Sequence, residues 1–152
     1  MQEAFADYNE VSRFSQPVAV APRTNAYGTY KQQAVSTMTP VELVVKLYDE
    51  CERQLNRAVH FIDVKDYSGA HTALDKSGEI VNALRSVLDM SIGKISENLD
   101  SLYDFFFKQI VEADMKKDKV IISQLLPQIG ELKDAFVQIS KLPKATAVHS
   151  YE

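Results

Sequence analysis

Apolar residues recur at steps of three and four through four successive segments of about 20 residues, and this period limits the chain to helices that share a core. The signal is strongest after Thr39. There Val44, Leu47, Tyr48, Cys51, Leu55, Ala58, Val59 and Ile62 define one face, while Lys46, Asp49, Glu50, Glu52, Arg53 and Asn56 fall mainly on the other. Thr39-Pro40-Val41-Glu42 combines a capping box with proline at the first helical position, where its missing N–H is harmless. The pattern predicts a helix over 40–64. A second, starting at Asp66 or Ser68 and spanning 67–88, is carried by Ala70, Ala73, Leu74, Ser77, Ile80, Val81, Leu84, Val87 and Leu88. A third, over 95–116, aligns Leu99, Leu102, Phe106, Ile110 and Ala113. Asp118 is the N-cap of a fourth, over 118–141, with Ile121, Leu125, Ile129, Leu132, Phe136 and Ile139 in line. Pro127 and Gly130 sit inside it, so a kink or break is expected near Gln124–Pro127.

Strand-period alternation appears nowhere for more than a few residues. Four amphipathic segments with short connections pack most simply as an all-α, antiparallel four-helix bundle. The 152 residues suffice for one domain with a real core. Residues 25–142 form that unit, preceded by an extension over 1–24 that reads as flexible. In the extension Gln16-Pro17-Val18-Ala19-Val20-Ala21-Pro22 has no amphipathic period, and its prolines disfavour helix on either side. Ala26 to Met38 reads as a short N-terminal helix or cap segment, with Tyr27 and Tyr30 on one face. Pro143 ends the last helix and leaves a flexible polar tail over 143–152.

Charge and reactive residues exclude more than they suggest. A net charge of −4 gives no footing for nucleic acid or a polybasic membrane surface. Met1 to Glu10 holds three acidic residues and no apolar h-region, and no stretch reaches the roughly 20 apolar residues of a spanning helix. The single cysteine, Cys51, fits a reducing compartment, so a soluble protein of the cytosol is expected. Cys51 lies on the apolar stripe and reads as a buried structural thiol, since a reactive thiolate needs an exposed electropositive setting. His60, His71 and His149 are scattered, and none belongs to a Glu-x-x-His pattern. Gly93-Lys94 lacks the spacing of a phosphate-binding loop. No catalytic residue, metal ligand or cofactor site is therefore expected. The alternative is a histidine-phosphotransfer bundle using His71. Against it stand Leu74 and Asp75, where such domains place Lys and Gly, because a carboxylate repels phosphate.

The informative feature is an aromatic surplus in Tyr103-Asp104-Phe105-Phe106-Phe107. Three consecutive phenylalanines sweep about 200° of helix surface, more than one core stripe hides. Phe106 aligns with the core, Tyr103 and Phe107 lie on a flank, and Phe105 has polar neighbours at helical spacing. Two readings fit. The rings are covered by the N-terminal segment or a second copy, which would make a homodimer, or they line a groove for a foreign helix or extended peptide.

The blocks Asn25 to Val35 with its paired tyrosines, Thr39 to Asp49 with Leu47-Tyr48-Asp49, Glu79-Ile80-Val81-Asn82 with Leu88-Asp89, Glu97 to Asp104, and Glu112-Ala113-Asp114 before Lys117-Asp118 stand in one order and spacing. In these the sequence resembles the FliS family of flagellin export chaperones, over about Asn25 to Lys141. The resemblance implies a non-enzymatic chaperone that binds the disordered C-terminal segment of flagellin. Such a chaperone blocks premature polymerisation and assists delivery to the flagellar type III export apparatus. It implies no cofactor, and it leaves room for other flagellar export or regulatory proteins as partners. Carried onto this chain, it implies a client surface drawn from Tyr27, Tyr30, Leu43, Leu47, Tyr48, Leu102, Tyr103, Phe106 and Phe107.

Overall fold

The computed structural model describes residues 38–143. The expected extension over 1–24, the tyrosine segment with Tyr27 and Tyr30, and the tail after Pro143 lie outside the described residues. Those described form four helices: α1 over Pro40–Asp63, α2 over Tyr67–Ser86, α3 over Lys94–Lys116 and α4 over Lys119–Ser140. A single 3₁₀ turn, Met90–Ile92, stands between α2 and α3.

Local chemistry sets the helix ends. The Glu42 N–H donates to Thr39 Oγ1 at 3.2 Å, and the Thr39 N–H donates to Glu42 Oε2 at 2.9 Å, so the capping box is complete. α1 stops where Lys65 turns left-handed at φ 61°, and the Asp66 N–H reaches back to the Phe61 carbonyl at 2.8 Å. The Asp66 carboxylate then accepts the Gly69 N–H at 3.0 Å and opens α2. α2 ends two residues before the expected Leu88, because the Leu88 N–H bonds the Arg85 carbonyl three residues back, tightening the last turn. Gly93 follows at φ 102°, a backbone region that suits glycine. Lys117 at φ 51° and Asp118, which accepts the Val120 N–H at 2.9 Å, make the sharp α3–α4 corner.

The expected break at Pro127 does not occur. α4 runs through it. Pro127 points away from the core, on the exposed side with Ser123, whose carbonyl loses its partner where water can replace it. Leu125 and Ile129 on either side are buried and hold the helix in place.

The connections of two to seven residues force neighbouring helices antiparallel. α1 packs on α2 and α4, α2 packs on α3, and α3 and α4 meet least of the four neighbouring pairs. The core gathers Leu47, Tyr48, Cys51 and Leu55 from α1, Leu74, Val81 and Leu84 from α2, Tyr103, Phe106 and Ile110 from α3, and Ile122, Leu125 and Ile129 from α4. Cys51 is enclosed, and burial pushes its thiol up to about 12, far from nucleophile range.

Candidate functional site

The aromatic residues form a connected series across the bundle. Phe136 of α4 stacks on Tyr48 of α1, with ring centroids 5.6 Å apart. The Tyr48 and Tyr103 hydroxyls share a hydrogen bond of 2.6 Å, reaching from α1 to α3 through the core. Burial raises both phenols above their ordinary range, so both stay neutral. Tyr103 contacts Phe106 at 6.4 Å between centroids, and Phe106 contacts Phe105 at 6.2 Å. The series ends at the surface, where Phe105 is 44% exposed.

Charge pairs fix which side of each helix faces which neighbour. Arg85 of α2 donates to Asp100 at 2.6 Å and to Asp104 at 3.2 Å. The Arg85 guanidinium holds the Asp100 carboxyl below its usual range, and Lys108 with Arg85 does the same for Asp104. Phe107 lies on that same α2-facing flank. A Cβ on Gly78 would stand 3.1 Å from its ring, so glycine there allows the close approach. Successive residues turn by about 100°, which puts Ile95, Leu102 and Phe105 on the other flank of α3, toward α4. On α4, Lys133 reaches Glu52 at 2.7 Å and Asp49 at 3.2 Å on α1. Leu132 and Ile139 therefore lie on the α4 flank turned to α3.

The least closed helix pair thus has apolar residues on both banks. Antiparallel packing sets the start of α3 beside the end of α4, so Ile95 and Ile139 share one end of the strip. Leu102 and Leu132 follow further along, both half-buried against the core. Phe105 stands at the rim.

The residues named for a client surface do not gather on one face. Leu47, Tyr48, Tyr103 and Phe106 are enclosed in the core. Leu102 lines the α3–α4 furrow. Leu43 is half-buried on the α2-facing side of α1, and Phe107 on the α2-facing side of α3. Tyr27 and Tyr30 lie outside the described residues. Phe105, Leu132 and Ile139 border the furrow and stand outside that set, although the polar neighbours of Phe105 at helical spacing already mark its ring in the sequence.

His71 is exposed on α2, and its Nδ1 lies 2.7 Å from Asp114 Oδ2. Asp114 also accepts from Lys117 Nζ at 2.7 Å. A carboxylate held against the ring opposes an added phosphate. Among the described residues, no three His, Cys, Asp or Glu side chains converge to hold a metal ion. None of their helices is long and apolar enough to cross a membrane.

A family described as flagellar protein FliS matches residues 23–143, the whole bundle. The chain belongs to the FliS family. A flagellar secretion chaperone FliS of Salmonella typhimurium is 31% identical over 117 residues, covering 76% of this chain and 85% of that protein. The protein of the same name from Bacillus subtilis is 28% identical over 114 residues, covering 75% and 85% respectively. That of Escherichia coli is 27% identical over 119 residues, covering 76% and 88%. The match places the furrow and the aromatic series inside the FliS unit and leaves residues 1–22 beyond it.

Proposed function

We propose that this FliS-family chain is a cytosolic export chaperone whose client is the C-terminal segment of flagellin, held in part along the α3–α4 furrow. The family and the names of its relatives support the chaperone role. The observation that carries the docking site is Phe105, an exposed ring beside Leu102 on the least closed helix pair. An apolar furrow with an aromatic rim suits an amphipathic guest helix. A client that folds as it docks loses part of its contact energy to ordering, which keeps the complex releasable at the export gate. Leu43 and Phe107 stand on other sides of the bundle, so a client touching them as well would wrap it rather than fill one groove. Binding of this kind hides the client from self-assembly without a covalent step.

Calorimetric titration of the full chain with a flagellin C-terminal peptide tests the reading. Association at micromolar concentration or tighter, with a gain of helical circular dichroism, is expected. Absence of heat at high peptide concentration would defeat it. Sedimentation at several concentrations separates the homodimer, which predicts mass rising with concentration and a return to monomer in Phe105→Ser.

A further inference from the structure

The two halves of α4 are held differently. Ile122, Leu125 and Ile129, the fully buried residues of this helix, all precede Gly130. Beyond it, Leu132 and Phe136 pack only in part against the core, and Ile139 is about half exposed. Two contacts tie residues 131–140 to α1. The Phe136 ring stacks on Tyr48, and Lys133 Nζ stands 2.7 Å from Glu52 and 3.2 Å from Asp49. Among the described residues, no hydrogen bond or ion pair joins this half to α3, across the least closed helix pair.

The backbone is weakest where the two halves meet. Pro127 lacks the N–H that would bond the Ser123 carbonyl. One turn on, Gly130 lowers helix stability with no packing need to explain it. Its φ is not positive, and a Cβ there would meet only Glu52 Oε2 at 3.5 Å, an ordinary contact. A segment of about ten residues cannot hold a helix alone in water, so 131–140 unwinds once it leaves the bundle.

We propose that residues 131–140 are a hinged bank of the α3–α4 furrow, pivoting at Pro127–Gly130 and latched to α1 by Lys133 and Phe136. Opening widens the furrow from Leu132 to Ile139 and uncovers the Tyr48 ring for an apolar side chain of the guest. Reclosing clamps the guest between α3 and α4. That use rests on the flagellin reading above; the hinge itself does not.

Hydrogen exchange of the full chain without client, followed by mass spectrometry, tests the hinge. Residues 131–140 should exchange as one unit, at least about tenfold faster than 121–126. Simple fraying gives a gradient from the helix end that leaves 131–134 as protected as 121–126, and it overturns the proposal. Lys133→Met should speed exchange across 131–140 by about threefold as the latch is lost. Gly130→Ala should slow it by about twofold to fivefold, because alanine fits and favours helix. Residues 121–126 should be unchanged in both variants. Effects shared equally by the two halves mean that α4 opens whole, and they also overturn the proposal. Stopped-flow mixing with a flagellin C-terminal peptide reads the second step: association should quicken in Lys133→Met and slow in Gly130→Ala. Rates that both variants leave unmoved overturn the gate. A peptide that binds none of these chains defeats the flagellin reading, and exchange alone then decides the hinge.

Discussion

At the scale of single residues, the Tyr48–Tyr103 pair shows how a core holds polar atoms. The 2.6 Å bond spans 55 positions in sequence and ties α1 to α3, helices that otherwise sit diagonally in the bundle. Removing one hydroxyl leaves the other buried without its partner, which costs about 1–3 kcal/mol. Tyr48→Phe and Tyr103→Phe should each lose stability in that range, and the double variant should lose clearly less than their sum. Urea unfolding followed by circular dichroism measures all three. Strict additivity would mean that the two hydroxyls do not depend on each other. Neither partner could be paired from sequence. Tyr48 lies on the α1 stripe that the period defines and is buried, whereas the same period puts the equally buried Tyr103 on a flank of α3. Periodicity gives an angle around a helix and says nothing about how deeply a neighbouring helix reaches. Phe106, closer to the stripe's centre, was legible for that reason.

At the scale of helices, ends were legible where a side chain writes them and less so where the backbone alone decides. Thr39, Asp66 and Asp118 each accept a backbone N–H within their own first turn, so the starts of α1, α2 and α4 followed from local chemistry. The end of α2 depends on how Leu88 closes its last turn, which no residue type announces. The sequence marks Pro127 as a break but not which way it faces, and on the exposed side of α4 it leaves the helix continuous. The ties between helices were not legible at all, since Arg85 meets Asp100 and Asp104 only after α2 and α3 have packed. Those ties make a pH prediction. Asp100 and Asp104 have folded-state values below the ordinary 3.8, so their contribution is present above that value and is lost as acid protonates them in the folded state. Arg85→Met should therefore lower the melting temperature near neutral pH, modestly because the pair is partly exposed. The gap between the two proteins should narrow as pH falls below about 3.8. A gap that stays constant to strong acid would mean that Arg85 acts through its alkyl stem alone.

At the scale of the whole molecule, stability and binding draw on different members of the same aromatic series. Phe106 is enclosed and supports the bundle, while its neighbour Phe105 is open at the rim of the least closed helix pair. The two rings are adjacent in sequence and in contact, yet truncating them should have opposite consequences. Phe106→Ala removes a core ring and should lower stability by about 3–5 kcal/mol. Phe105→Ser changes a surface position, so stability should move by about 0.5 kcal/mol or less. If the furrow receives the flagellin tail, Phe105→Ser should nonetheless weaken that peptide at least tenfold, or about 1.4 kcal/mol, as expected of an aromatic anchor. The heat-capacity change on binding should also become less negative, because less apolar surface leaves water. Calorimetry at several temperatures, paired with urea unfolding of both variants, reads all four quantities. Loss of stability without loss of affinity in Phe105→Ser would place that ring in the fold and move the client to another face.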